Sequence, residues 1–411
     1  MLRFLIVCFA LTAPWSALAA TLTLEDALER ALTSHPDLQS RQAETDALAA
    51  DRDHRALPTH WSAGVEYESA PAPGGGSGLD DGELTLRLSR LIERGGKRDL
   101  RQAAGQARVD YAALEMRLRR LELAAETVRR FTAAIAAHDR LALAGEQLEL
   151  ATHLLRQVEH RVAAARSPAA EEYSARAELG RARASLAHQE GARAAAWAGL
   201  AALWGGEGPE IDTLEGDLFA LPTVPDATAV RQSLQRNPDV LRQVAATAVA
   251  SAESALARAT QTPDISASAG LRYFGETDDA GFVLEFSLPL GTASRAEPAV
   301  RAAEQRTTAS HLAQTARLRE VNGVAMRLLA ELEARRNELQ IYQESVIPEA
   351  RAAVEAYRLG FEAGRHSFLT VADAQRRLSE ARAQAIATAA AFHRLMTELE
   401  QLTYTVQGEQ P

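Results

Sequence analysis

Cysteine is almost missing from this 411-residue chain, and the one it has, Cys8, sits in a stretch that reads as a leader. Residues 1–19 begin with Arg3, continue through the short apolar run 4–13 and end on Ala17-Leu18-Ala19. That is the pattern of a secretory signal, cleaved after Ala19 or Ala20. The apolar run is too short to anchor the chain in a bilayer. Leu5-Ile6-Val7, ahead of Cys8, lack the small residues that precede a lipid-modified cysteine. A mature chain without cysteine has no disulfides, no thiolate metal sites and no cysteine nucleophile. Aromatics are scarce as well, at 5%. Beyond the leader no apolar run is long enough for a transmembrane helix, so any membrane crossing must use strands. Positive charge is also short: the formal net charge is −10, and losing Arg3 makes it more negative. Such an acidic exported chain is a poor match for nucleic acid.

What is present is said twice. The segment LEDALERALTSHPDL at 24–38 reappears as ATAVRQSLQRNPDV at 227–240. Pro36 and Pro238 are about 200 positions apart, too far for a solenoid repeat and suited to a duplicated half. The expected organisation is a leader at 1–19, a first structural repeat at 20–215 and a second at 216–411. Each repeat runs helix, two strands, long helical hairpin.

Four segments alternate with period 2, which sends each set of side chains to its own face of a sheet. In 61–69, Trp61, Ala63, Val65 and Tyr67 oppose Ser62, Gly64, Glu66 and Glu68. In 83–91, Leu84, Leu86 and Leu88 oppose Thr85, Arg87 and Ser89. In 265–274, Ile265, Ala267, Ala269, Leu271 and Tyr273 oppose Ser266, Ser268, Gly270 and Arg272. In 282–290, Phe282, Leu284, Phe286 and Leu288 oppose Val283, Glu285 and Ser287. Pro58 and Pro263 precede the first strand of each repeat and Pro289 lies near the end of the last, positions a sheet tolerates. Residues 70–82 form a polar, glycine-rich loop, and 276–280 its shorter acidic counterpart. The run lengths suit tilted strands crossing a bilayer. Four strands leave two edges, which lipid does not permit, so the barrel must be shared between copies. Three copies would supply about twelve strands, enough for a water-filled lumen. The lipid-facing set is then Trp61, Val65, Tyr67, Leu84, Leu86, Leu88, Leu271, Tyr273, Phe282, Leu284 and Phe286. The lumen-facing set is Glu66, Glu68, Arg87, Arg272 and Glu285.

Helical patterns cover 24–57, 98–163, 169–204, 226–260, 296–360 and 367–404. Tyr111, Leu114, Leu118, Leu121, Ala125, Val128 and Ala136 mark a coiled-coil stripe in the second of these, and Leu318, Val321, Leu328, Leu332, Leu339 and Val346 in the fifth. The second spans roughly 100 Å at helical rise, and in each repeat the long helix matches the two shorter ones stacked end to end. Residues 205–225 join the halves and are expected to girdle the middle of a helical cylinder. The fold class is therefore mainly α with a small β part. Duplicated long coiled-coil hairpins and four transmembrane strands are expected to form a trimeric α-barrel/β-barrel channel.

The chain resembles the TolC-like outer-membrane efflux proteins over nearly all of its mature length. ALTSHPDL at 31–38, LSRLIERGGKR at 88–98 and YRLGFEAGRHSFLTVADAQRRL at 357–378 carry the resemblance. IERGGKR at 92–98 and SPAAEE at 167–172 are similar to the cobalt–zinc–cadmium, heavy-metal branch of that family. The resemblance implies a homotrimer in the outer-membrane lipid that extends into the periplasm. It also implies a periplasmic adaptor and an inner-membrane RND-type pump as partners, with the hairpin tips near 165–169 and 363–368 as mouth and adaptor contact. The expected function is a passive exit duct of a tripartite efflux system, for heavy-metal cations or alternatively for drugs and other organic solutes. A periplasmic coiled-coil adaptor or structural protein is the competing class, and would not need four lipid-length strands.

At the mouth, Glu171 stands where family members place a pore-facing acid, and Asp373 resembles the second acid. Thr370 departs from the pattern, since an aspartate is common there. Rings of such acids attract cations. Arg365 and His366 flank the second tip and could hold the mouth shut. Glu149, His153 and His160 share one helix, but the two histidines are about two turns apart, too far to ligate one metal. No metal site, cofactor or catalytic constellation is expected, and the chain is not read as an enzyme. Gly95-Gly96-Lys97 lacks the rest of a phosphate loop and fits a strand-to-helix turn.

Overall fold

A computed structural model describes residues 21–68, 82–206 and 213–404. The leader with Cys8, the loop at 69–81, and 207–212 of the joining segment lie outside the described residues. The first repeat gives β1 (Thr21–Leu22), α1 (Leu24–Ser34), α2 (Pro36–Arg55), β2 (Trp61–Glu68), β3 (Glu83–Ile92), α3 (Lys97–Ala163) and α4 (Ala169–Ala201). The second gives β4 (Thr213–Leu214), α5 (Ala227–Ser233), α6 (Pro238–Ala259), β5 (Ile265–Phe274), β6 (Asp279–Ser287), α7 (Thr292–Ile341), α8 (Ile347–Glu362) and α9 (Phe368–Thr403).

The chain forms two compact units, and each draws on both repeats. A sheet unit comprises Pro36–Leu121, Pro225–Arg327 and Glu400–Pro411; a tip unit comprises Met1–His35, Glu122–Val224 and Leu328–Leu399.

The repeated Pro-Asp motif breaks helices that the sequence pattern ran together. The stretch 24–57 divides at His35, held at φ −70° and ψ 121° ahead of Pro36. The stretch 226–260 divides at Leu234–Arg236 and Asn237, whose ψ is 137°. A residue before proline avoids the helical basin because the proline ring crowds its backbone. Asn237 then caps α6, accepting from Asp239 N at 2.9 Å and Val240 N at 3.1 Å. Within the sheet unit each motif aspartate binds the long helix of its own repeat, Asp37 to Arg119 and Asp239 to Arg317.

The fifth helical stretch also differs from expectation. α7 begins at Thr292, right after Gly291 at φ 73°, with Ser294 Oγ donating to the Gly291 carbonyl at 2.9 Å. A π-turn at Tyr342–Val346 separates α7 from α8, with Ile347 N–H bonding back to the Tyr342 carbonyl. Pro348 has no N–H to donate, so the wider turn absorbs the missing bond. Of the expected stripe, Val321, Leu328, Leu332 and Leu339 are buried, whereas Leu318, ahead of them in α7, and Val346, in the π-turn itself, are exposed.

The sheet lies wholly in the sheet unit, antiparallel, in the order β2-β3-β5-β6. β5 matches its expected span, whereas β6 starts at Asp279 because Phe274 pairs directly with Asp279 across a tight turn. It ends at Ser287, two residues before Pro289, which cannot donate to a ladder. β3 runs one residue further than expected, pairing Ile92 with Ile265. In the tip unit β1 and β4 form a two-residue parallel ladder that no alternation could have announced. Apolar clusters hold that unit, and two of them are defined among the described residues. One contains Ala136, Leu143, Leu218, Leu339 and Ile386. The other, at the tips, contains Leu154, Val158, Ala175, Phe361, Phe368 and Val371.

Candidate functional site: the two-faced sheet and the helical tips

The pairing register lays the strands' side chains in rows. On one face these are Tyr67–Leu84–Tyr273–Ala280, Val65–Leu86–Leu271–Phe282, Ala63–Leu88–Ala269–Leu284 and Trp61–Arg90–Ala267–Phe286. All eleven side chains expected to meet lipid fall on this face, and each is exposed, Phe282 to 89% and Phe286 to 73%. An exposed apolar surface this continuous is foreign to a water-facing sheet and marks contact with another apolar phase. The sequence reading passed over its one charge, Arg90. β2 and β6 are the outer strands, and neither pairs with a further strand among the described residues.

The opposite face carries Glu66, Glu68, Arg87, Arg272 and Glu285 as expected, and adds Glu83 and Asp279. Arg87 spans the strands, reaching Glu66 at 3.0 Å and Glu285 at 3.2 Å. Its row neighbours are Gly64 and Gly270. The missing Cβ of Gly270 matters, because one there would meet the Leu86 carbonyl at 2.4 Å. Arg272 binds Glu83 at 2.9 Å and Thr85 Oγ1 at 3.0 Å. The last polar-face row, Glu68–Glu83–Phe274–Asp279, concentrates three carboxylates.

Below the sheet, Gly95 and Gly96 take φ of 76° and 66° and launch α3, so the glycines form the strand-to-helix turn. Lys97, the only lysine in the chain, binds Asp264 at 2.8 Å. Asp264 also accepts from Arg94 N at 3.0 Å, which ties the entrance of β5 to the exit of β3.

In the tip unit the two hairpin turns have the same backbone. Ala165 N–H bonds to the Val162 carbonyl at 2.9 Å and Arg166 N–H to Arg161 at 2.8 Å; Gly364 bonds to Phe361 at 2.9 Å and Arg365 to Gly360 at 2.8 Å. The residue that turns the chain has φ 54° at Ala165 and 75° at Gly364. Glu171 lies in the first turn of α4, half-buried and without an ion pair among the described residues, while its neighbour Glu172 binds Arg176 at 2.5 Å. Asp373 is flanked by Arg376 and by Arg377, the latter at 2.8 Å. The Arg376 guanidinium, with Arg377 adding to it, holds the Asp373 carboxyl below the usual carboxylate range. Arg365 and His366 are exposed and reach no acid among the described residues. His366 instead packs edge-on against Tyr357, ring centres 5.2 Å apart.

Arg161, absent from the sequence reading, joins the two hairpins. It donates to the Phe361 carbonyl and, at 3.1 Å, to Ser167 Oγ, with its guanidinium 4.5 Å from the Phe361 ring centre. In the same unit, α3, α4, α8 and α9 line a groove of about 630 Å3 that includes Leu150, Leu154 and Phe368. Exposed Tyr173 and Leu369 stand near the two tips. His153 turns to Gln157 at 3.1 Å, and no cluster of metal-ligating side chains occurs among the described residues.

The profile of the family described as outer membrane efflux protein matches residues 27–206 and 229–403. The chain belongs to that family. As a member of it, the chain is an outer membrane efflux protein and not an enzyme. A curated relative, the cobalt-zinc-cadmium resistance protein CzcC of Cupriavidus metallidurans, is 26% identical over 198 residues. That alignment takes in 48% of this chain and 47% of the relative, so the chain spans about half the length of the relative it matches. Among solved structures, CusC, described in terms of folding and transmembrane channel formation, superposes with a TM-score of 0.79 at 18% identity. That match covers 96% of this chain and 94% of CusC. The open state of the Neisseria gonorrhoeae MtrE outer membrane channel gives 0.74 at 18% identity, covering 92% of this chain and 88% of MtrE. At these identities the likeness is one of fold: long helices with a small sheet.

Proposed function

We propose that three copies of this chain form the exit duct of a tripartite efflux system that discharges heavy-metal cations across the outer membrane. The observation that carries the duct is the sheet. One face is continuously apolar and exposed, the other is charged and ion-paired, and both outer strands are unpaired among the described residues. Lipid leaves no backbone group on a strand edge unsatisfied, so β6 of one copy pairs with β2 of the next until the barrel closes. The apolar side chains then meet lipid, and Glu66, Glu68, Arg87, Arg272 and Glu285 keep the lumen wet.

Two observations support cations as cargo. The row Glu68–Glu83–Phe274–Asp279 becomes a ring of carboxylates on threefold repetition, and such rings favour cations. The relative CzcC bears a cobalt-zinc-cadmium resistance name. The helical tips form the periplasmic mouth, where Glu171 offers an unpaired carboxylate and Arg365 and His366 bias the closed state through contacts between copies. The exposed Tyr173 and Leu369 and the groove between the hairpins suit the helices of a periplasmic adaptor, which links the duct to an energised RND-type inner-membrane pump.

Deleting the gene tests the cargo. Sensitivity to cobalt, zinc and cadmium, relieved by re-expression, is the expected result; sensitivity to drugs alone would refute metal cargo. Recovery of the mature chain as a soluble periplasmic monomer would refute the duct. At the mouth, Asp373→Asn leaves Arg376 and Arg377 without their shared acid, so purified channels in a planar bilayer should shift towards anions. Unchanged ion preference would remove Asp373 from the pore.

A further inference from the structure

Arg90 is the only charged side chain on the apolar face of the sheet among the described residues. It makes no hydrogen bond or ion pair there. Its one partner among the described residues is Trp61, directly opposite on β2, with the guanidinium 5.2 Å from the indole ring centre. Stacking on an aromatic face occupies the flat side of a guanidinium and leaves its edge N–H groups free. A free, planar, doubly donating cation on a surface that otherwise rejects charge requires an anion from the surrounding phase, and in lipid that anion is a headgroup phosphate.

The register says which leaflet. β3 runs through Arg90 to Ile92 and, past two glycines, into α3 at Lys97. Arg90 therefore lies at the helix-bearing end of the sheet. Its row is three rows from Tyr67–Leu84–Tyr273–Ala280, about 20 Å along the strands. Once strand tilt is allowed for, that spacing sets the tyrosines towards one interface and Trp61, Arg90 and Phe286 towards the other. The helices extend into the periplasm, so the Arg90 end meets the periplasmic leaflet, which is made of glycerophospholipid.

We propose that Arg90, stacked on Trp61, is a binding site for the phosphate of a periplasmic-leaflet glycerophospholipid, one per chain. The inference rests on the lipid-facing reading of this sheet face. Guanidinium and phosphate meet through two parallel N–H···O bonds, while the acyl chains lie over Leu88, Ala269 and Leu284 in the next row. The contact would anchor the barrel at a fixed depth.

Native mass spectrometry of the purified oligomer tests it, with phosphatidylglycerol and diacylglycerol of the same chains as probes. The wild type should hold phosphatidylglycerol about tenfold more tightly than Arg90→Gln. Arg90→Lys should fall between, since an ammonium cannot form the paired bonds. Diacylglycerol should bind both weakly. Equal phosphatidylglycerol binding by wild type and Arg90→Gln, or diacylglycerol binding as tight as phosphatidylglycerol, would overturn the phosphate site. A parallel measurement separates this failure from failure of the lipid-facing reading. With Trp197→Phe and Trp204→Phe in place, Trp61 fluorescence should be quenched by bromine-labelled acyl chains in both wild type and Arg90→Gln. An unquenched Trp61 would overturn the lipid-facing reading and with it the site.

Discussion

Replacing Arg161 should loosen the second helical tip more than the first. The guanidinium donates to the Phe361 carbonyl at the end of α8, donates to Ser167 Oγ at 3.1 Å, and covers the Phe361 ring at 4.5 Å. Phe361 is itself only 1% exposed, so this cation sits at the edge of the tip cluster rather than in open water. A hydrogen bond from a charged donor is worth about 1.5–3 kcal/mol, and a cation over an aromatic face adds about 0.5–1 kcal/mol. The Phe361 carbonyl keeps its bond from Gly364 N at 2.9 Å, which removes the penalty for an orphaned acceptor and favours the lower end of the sum. Arg161→Leu retains an apolar cover for Phe361 and should therefore cost about 2 kcal/mol locally. The amides that report it are Ala363, Gly364 and Arg365, whose acceptors are Leu359, Phe361 and Gly360. Hydrogen exchange there should accelerate about thirtyfold in the purified channel. The matching amides Ala164, Ala165 and Arg166 should change less, because the first tip loses only the side-chain bond to Ser167 Oγ and none of their backbone acceptors is bound by the guanidinium. Arg161→Lys, which keeps a donor but loses the planar stack, should fall between. If the second tip gates the mouth, Arg161→Leu channels should also spend more time open in a planar bilayer. Exchange at 363–365 within about twofold of wild type would refute the latch whatever the conductance shows.

Three further substitutions probe other parts of the molecule. Leu86→Arg puts a charge amid the apolar rows and should cost about 2–4 kcal/mol of folding stability in lipid if Leu86 lies near the bilayer midplane; unaltered unfolding in vesicles would turn that face away from lipid. Ala165→Gly relieves a left-handed alanine at φ 54° and should slow exchange at Arg166 by a factor corresponding to about 1 kcal/mol; faster exchange would show that the turn is not strained. Burial raises the Asp139 carboxyl pKa, with Asp217 adding and nearby His138 opposing. A carboxyl raised in the folded state contributes fully below its unfolded pKa and becomes a liability as pH climbs through its folded pKa. Asp139→Asn should therefore raise the melting temperature at neutral pH, with the gain vanishing as pH falls below the ordinary carboxylate range; a gain independent of pH would assign the effect to packing instead.

The parts of this fold that were readable in the sequence are those with a strict period. Alternation in four segments assigned the two faces of the sheet because a strand has only two sides, and a single register then fixes every row. Arg90 escaped that reading although it obeys the same alternation, because a run of leucines at 84, 86 and 88 defines the face and the exception follows them. Helix interruptions were less readable. Pro36, Pro238 and Pro348 are plain in the sequence, yet the apolar period continues across them, and only backbone geometry distinguishes a cap from a π-turn. The tip cluster was out of reach for a different reason. Arg161 is one arginine among many until folding brings Phe361 to it from about 200 positions away, and side-chain periodicity carries no information about such partners. The duplication sharpens the point. Both hairpins need one residue in the left-handed basin, and the second copy supplies Gly364, whereas the first supplies Ala165 at the cost of strain. A search for the glycine that ordinarily marks such a turn finds only one of the two tips. The shared need is visible at the level of three backbone hydrogen bonds per turn, a level at which the two halves still agree after their sequences have parted.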